Sequence, residues 1–397
     1  MIPRFILFLI LGIDALMLLS QISQLSISYD EANLLYGESS SLGFIIHSFI
    51  ALFGQNDFAL RFPMILLHLM SAFILYIISK EYLPHARNRI WVVLIFVLLP
   101  GVMSAAIVVN SAGLIIFGLL LFMLIYQKLS SKFSYLYLIV LSFVDPDFIY
   151  LFLALVMYSI HIKEKKLFIL NVLLSAVSLY IYGFEKYGMP TGHFLDTMAI
   201  YSAVLTPIIF IYLFYVLYRK FLVKDMDVLW FIASVPLLFS LILSFRQHIA
   251  IEHFAPYIIV SLPLGAKMFY SSYRVRLKVF RYNYRNIFTI SLLLLVVNSL
   301  VVLFNKEIYI FIENPQKHFA YKMYVAKELA NKLKEKNIEC IESDEEMTNR
   351  LKFYGVTACA KYILKEKSLE SDKRADVTVS YKNRVVYMAN VTNINNR

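Results

Sequence analysis

Asp30 and Glu31 stand side by side in SISYDEANLLYGESSS (residues 26–41), flanked by Tyr29 and Tyr36, directly after the first apolar run of a chain that is 60% hydrophobic. Carboxylates next to so much apolar surface are costly unless they are solvated or used. A carboxylate beside a dry site can act as a general base; the plain alternative is a solvated acidic turn. A phosphate on a substrate would need cations, preferably arginine for its planar fork of donors. Arg61, Lys186 and Arg246 are the candidates. Two further stretches carry polar groups: GFEKYGMPTGHFLDT (residues 183–197), with Glu185, Lys186, His193 and Asp196, and RQHIAIEHFAPY (residues 246–257), with Arg246, His248, Glu252 and His253. Substrate contact is the favoured use of His193, His248, Glu252 and His253. Side chains snorkelling to headgroups are the bland alternative. A divalent metal is the minor one, with Glu252 better spaced than His253 as a partner for His248. No metal site is assigned, and no Cys/His zinc spacing or glycine-rich phosphate loop is present, so no cofactor is expected.

The elements that must position these residues are membrane helices. Mean hydropathy is +0.67 and only 16% of residues are charged. Continuous apolar runs recur at 5–21, 59–79, 90–107, 111–127, 134–144, 148–161, 167–182, 198–218, 228–245, 254–270 and 287–304. A hydrocarbon core of roughly 30 Å takes roughly 20 apolar residues per helix, and unbroken rather than alternating runs mean helices, not a barrel. The fold class is therefore an all-α polytopic membrane protein of about eleven spans. The fifth and sixth runs are short and flank Val144-Asp145-Pro146-Asp147, where a broken or re-entrant pair is expected. The first run lacks a convincing small-x-small cleavage site and reads as a retained helix.

Charge sets the orientation. Lys80, Arg87 and Arg89; Lys128 and Lys132; Lys163, Lys165 and Lys166; Arg219, Lys220 and Lys224; and the cluster from Arg274 to Arg285 fall in alternate loops. By the positive-inside rule these loops and the N-terminus are cytoplasmic. Asp30, Glu31, Asp57, Asp145, Asp147, Glu185, Asp196 and Glu252 then lie outside, with Arg61, Lys186 and Arg246. On this topology the three cations and Asp30 are expected to share one outer cavity. Residues 42–53, LGFIIHSFIALF, are apolar but too short to span and read as a helix lying in the interface.

Composition changes after residue 304. The segment 305–397 carries 17 Lys or Arg and 13 Asp or Glu, and an odd number of spans puts it in the periplasm. A helix over 318–336, a strand over 338–343, a helix over 344–355 closed by Gly355, and a hairpin over 376–391 turning at Lys382-Asn383 predict a small α/β domain. The domains are thus 1–304 and 305–397. Cys340 and Cys359 either pair in an oxidising compartment or stay as two buried thiols.

YDEANLLYGESS, the interfacial helix and NDFALRFPMILLHLMSAFILYIISKEYL (residues 56–83) in that order resemble the start of the GT-C glycosyltransferases. The likeness is to the branch containing bacterial aminoarabinose transferases and protein O-mannosyltransferases. It rests on Asp30, Glu31, Tyr36, Arg61 and Pro63, and covers residues 1–245 in topology. The resemblance implies a polyprenyl-phosphate-linked sugar donor and transfer at the outer face of the membrane. Two positions depart from the pattern. Asn110, in VVNSAGL, stands where many members carry an acid, and Asp145-Pro146-Asp147 stands where many carry Lys-Gly-Pro. Asn110 can hydrogen-bond substrate but cannot be a base.

These readings combine into an inner-membrane glycosyltransferase. Asp30 serves as base or acceptor-orienting group, and Glu31 supports it. Arg61, Lys186 and Arg246 bind the donor phosphate. Tyr36, Asn110, His193, His248, Glu252 and His253 contact substrate. The acceptor is a lipid such as lipid A or another glycolipid, a glycan or a protein; membrane lipids surround the chain and no nucleic acid is involved. A transporter or flippase is the first rival, favoured by Asp14 inside the first span. A non-catalytic assembly subunit is the second, favoured by Asn110.

Overall fold

Apolar runs become helices because hydrocarbon offers no partner for a backbone N–H or C=O, so each must be bonded within the segment. The computed structural model describes residues 2–37, 40–183, 192–310, 312, 315, 318, 320–367, 375–382 and 384–393. The chain forms two compact units. One comprises Met1–Leu16, Met64–Ala106 and Asn110–Ser299; the other comprises Met17–Pro63, Ile107–Val109 and Leu300–Arg397. The composition break at 304 falls close to one of these joins. The grouping of residues 17–63 with the polar tail is not visible in composition.

The helices in chain order begin with α1 (Ile2–Ile22), α2 (Tyr29–Tyr36), α3 (Ser41–Phe53) and α4 (Asp57–Ile78). Then come α5 (Ala86–Leu98), α6 (Pro100–Ile107), α7 (Ser111–Lys128), α8 (Ser131–Leu141), α9 (Ile149–Ile162) and α10 (Lys165–Tyr182). The membrane-type series ends with α11 (Phe194–Leu205), α12 (Pro207–Val223), α13 (Val228–Leu243), α14 (Ala255–Ile259), α15 (Leu262–Val275) and α16 (Lys278–Leu303). Within the first unit, Phe96, Phe122, Phe148 and Phe152 form part of a fully buried core. Phe5 and Phe8 of α1 and Ile290 and Leu293 of α16 are exposed, as lipid-facing residues must be where the solvent is itself apolar. The chain is a multi-pass membrane protein.

Five described helices are long and apolar enough to cross a bilayer, or seven if each of two bent pairs is one span. The expected eleven runs differ from this for local reasons. Run 90–107 breaks by 61° between α5 and α6, before Pro100, whose ring and missing N–H interrupt helix bonding. Run 198–218 turns by 106° between α11 and α12 at Thr206, which has φ +67 and precedes Pro207. Run 254–270 divides into α14 and α15 ahead of Pro263, and α8, α9 and α13 fall short of a full span.

In the second unit, α3 exposes Phe44 and Leu52 and sets the Phe49 ring tilted against Phe62 at 6.0 Å between centroids, so it carries apolar side chains on both sides. The tail holds α17 (Ala326–Glu335) and α18 (Glu345–Phe353), with β1 (Tyr362–Glu366), β2 (Val377–Tyr381) and β3 (Arg384–Asn393) in the antiparallel order β1-β3-β2. Ala326, Leu329, Ala330 and Leu333 are buried at helical spacing against Ile341, Leu351 and Val379. Gly355, with φ +81, follows α18; glycine takes that left-handed conformation without the Cβ penalty. The helix expected from 318 starts at 326, after a 3₁₀ turn at Tyr321–Met323. The strand expected over 338–343 is two isolated bridges, Cys340 to Thr357 and Glu342 to Ile363. Lys382 has φ +52 at the expected hairpin turn, whose Asn383 lies outside the described residues. Cys340 and Cys359 form a disulfide, Cα to Cα 5.4 Å.

Candidate functional site

The two neighbouring carboxylates part company at the first turn of α2. Ser28 is the N-cap. Its hydroxyl accepts from the Glu31 N–H at 3.2 Å, and Glu31 Oε2 accepts from the Ser28 N–H at 2.9 Å. This is a capping box, and the Ser28-x-x-Glu31 spacing was its sequence signal. Glu31 is fully buried. Its Oε1 also accepts from Arg61 Nε at 2.9 Å and the Val109 N–H at 3.0 Å, and its Oε2 from Arg61 Nη2 at 2.7 Å. Burial alone would lift the Glu31 carboxyl. The Arg61 charge and hydrogen bonds, then the N–H groups of Val109 and Ser28, outweigh it and hold the group below the usual carboxylate range.

Arg61 is equally committed. Nη1 donates to the carbonyls of Ile22 at 3.2 Å and Leu25 at 2.8 Å, and the second Nη2 bond runs to the Ser26 carbonyl at 2.8 Å. With the two bonds to Glu31, all five guanidinium N–H groups are consumed inside a side chain of zero exposure. This corrects the sequence expectation for Arg61. No donor remains for a phosphate, and the residue ties the loop together. Glu31 likewise has no lone pair facing a reactant, so its support for Asp30 is mechanical. Asp30 is exposed, with no hydrogen-bond partner among the described residues.

The rest of the loop is braced by the tail. Asp57 Oδ1 accepts from Tyr354 Oη at 2.6 Å, and Oδ2 accepts from Lys327 Nζ at 2.6 Å. Tyr36, expected to touch substrate, accepts a bond from Gln55 Nε2 at 3.2 Å, and Lys352 Nζ sits 4.3 Å from the centre of its ring. Nothing local in the sequence singles out Asp57, Lys327 or Tyr354.

The first unit contains a second polar cluster. His253 Nδ1 meets Asp147 Oδ2 at 2.5 Å, Tyr257 Oη donates to the Asp147 carbonyl at 2.7 Å, and Asp145 Oδ1 accepts from the Asp147 N–H at 2.9 Å. Asp145 is pushed up to about 7 by burial and by the Asp147 charge. For His253, burial pulls downward, but the hydrogen bond and charge of Asp147 prevail and raise it above 6.5. Asp147 was not chosen from sequence as a site residue; the unusual Asp-Pro-Asp between two short apolar runs was the available signal. His193 meets Asp196 at 3.2 Å and lies 5.5 Å ring to ring from His248, so two of the expected substrate residues come together. Arg246, His248 and Glu252 are exposed. Among the described residues no three His, Cys, Asp or Glu side chains gather as a metal-binding group. Asn110 caps α7 by accepting from the Gly113 N–H at 3.4 Å. Asp14 is buried and paired with His68 at 2.8 Å. Lys186, with Glu185, lies outside the described residues.

No family model and no curated protein sequence matches the chain. Among solved structures, it is similar to ArnT from Cupriavidus metallidurans in the apo state. The TM-score is 0.56 with 11% identity, over 90% of this chain and 86% of that one. The chain therefore has the fold of ArnT.

Proposed function

We propose that this protein transfers a sugar from a polyprenyl-phosphate-linked donor to a lipid, glycan or protein acceptor at the outer face of the inner membrane. The observation that carries the reading is Asp30, an exposed carboxylate on a helix turn beside a Glu31 whose oxygens are all bonded elsewhere. The fold shared with ArnT supports sugar transfer as the class of chemistry. Asp30 acts as the general base on the acceptor, or orients it. Arg246, exposed and without an acid partner among the described residues, is retained as a donor-phosphate cation together with Lys186. A phosphate leaving group balanced by cations needs little acid catalysis. Tyr36, Asn110, His193, His248, Glu252 and His253 are retained as substrate contacts, although Asn110 and His253 already have structural partners.

The test is sugar transfer from a polyprenyl-phosphate sugar by purified protein. Asp30→Asn should lower turnover by about 10²–10⁴-fold with folding intact, since no protein bond is lost. Near-normal turnover would end the base role. The transporter rival drew on Asp14, whose pairing with His68 satisfies that acid locally. Lipid movement without transfer in the same vesicles would restore it.

A further inference from the structure

The backbone leading into α2 is held almost entirely by residues remote in sequence. Ser26, Ile27 and Ser28 are buried, so their polar groups need partners. The Ser26 N–H donates to the Met323 carbonyl at 2.8 Å. The Ile27 N–H donates to Tyr354 Oη at 2.8 Å, and the Ile27 carbonyl accepts from Arg350 Nε at 2.9 Å. Both polar groups of the residue three positions before Asp30 are therefore bonded to side chains of the tail. Tyr354 Oη passes its own hydrogen to Asp57, so one hydroxyl links the start of the loop to its end. Gln55 Nε2 adds a bond to the Phe353 carbonyl at 2.7 Å, and α18 packs on α2.

The tail residues involved are themselves fixed. Arg350 and Tyr354 lie on and just after α18, inside the 19-residue interval closed by Cys340–Cys359. The Ile341 N–H bonds the Thr357 carbonyl at 2.9 Å, and the Thr357 N–H bonds the Glu339 carbonyl at 3.0 Å. The two ends of that interval are thus joined by main-chain bonds as well as by the disulfide.

We propose that Tyr354 and Arg350 are positioning residues for the Asp30 carboxylate, held in register by the Cys340–Cys359 disulfide. The C-terminal segment is then a working part of the site rather than a separate binding module. The catalytic half of this statement rests on the reading of Asp30 above; the positioning half does not.

The experiment measures amide hydrogen exchange over residues 26–36 in the full-length protein, alongside turnover and the affinity for polyprenyl phosphate. Tyr354→Phe keeps the ring and removes the hydroxyl. It strands the buried Ile27 N–H, and exchange at 27–36 should rise at least about tenfold. Cys340→Ser with Cys359→Ser should raise exchange in the same window. Gln55→Ala removes two bonds, to Tyr36 and to Phe353, from an exposed side chain, strands no buried N–H, and should raise exchange less. Turnover should fall in Tyr354→Phe with polyprenyl-phosphate affinity unchanged, because a displaced base slows chemistry without touching donor binding. Arg350→Lys, which can still donate to Ile27, should retain more turnover than Arg350→Met. Wild-type exchange at 27–36 in both Tyr354→Phe and Gln55→Ala overturns the positioning role whatever turnover does. Raised exchange with unchanged turnover overturns the catalytic half. Unchanged turnover in Asp30→Asn sinks the base role of Asp30 and leaves the exchange result standing.

Discussion

Replacing Arg61 by Ala separates two roles that predict different losses. In a phosphate-binding role the protein would fold normally and bind donor weakly. In the role described above, the change strands a buried Glu31 carboxylate with two remaining N–H partners, Ser28 and Val109. It also removes the donors to the carbonyls of Ile22, Leu25 and Ser26. Breaking a buried ion pair from one side costs about 3–5 kcal/mol, and each lost hydrogen bond contributes about 1 kcal/mol more. The total is about 6–8 kcal/mol, within reach of the roughly 5–15 kcal/mol that stabilises a whole domain. Arg61→Ala should therefore be recovered in poor yield or melt far below wild type.

The double variant Glu31→Leu with Arg61→Met should be more stable than either single change, because it leaves no stranded charge. High salt should change little, since a fully buried pair is poorly screened. Acid should matter. The Glu31 carboxyl is held below its ordinary value of 4.5, so its contribution is fully present above 4.5 and is lost as pH falls through the lower, folded-state value. Glu31→Gln should lack that acid limb. The assay is thermal or denaturant unfolding of purified protein, with polyprenyl-phosphate binding measured in parallel. An Arg61→Ala protein as stable as wild type, but with weakened phosphate binding, would refute the structural role.

Two further outcomes are expected. Asp145 is raised from 3.8 to about 7, so its ionisation opposes folding. Asp145→Asn should stabilise the protein above pH 7, with the advantage shrinking as pH falls and gone below 3.8, where wild-type Asp145 is protonated in both states; unfolding across that range, compared with wild type, measures it. A reporter fused after Arg397 should be active when it requires the periplasm and silent when it requires the cytoplasm; the reverse would invert the topology read from the basic loops.

Much of the helical architecture was legible because its causes are local. Apolar length and Gly355 act within a few residues of where they stand. The shortened spans were less legible, since a break such as the one at Thr206 looks like continuous apolar sequence until its backbone turns. In the tail, α17, α18 and the β2–β3 hairpin follow from periodicity. Charged β1 (YILKE) becomes a strand through its long-range pairing with β3. The disulfide was one of two open readings because sequence does not report the distance between two cysteines.

The acid pair shows why site residues are read less well than elements. Asp30 and Glu31 look like a unit because they are adjacent, yet adjacency in a helix means a rotation of about 100°, and consecutive side chains do not share a face. If one points into the protein, its neighbour must diverge from it. Ser28, three residues earlier, identifies Glu31 as the inward member through the capping box. Arg61 and Val109, distant in sequence, complete its burial. Asp30 is then the only member of the pair with a free carboxylate, and the cations that balance a bound phosphate must be sought elsewhere than at Arg61. The pair is therefore one anchor and one exposed acid, and the anchor is what gives the exposed acid a defined position from which to act.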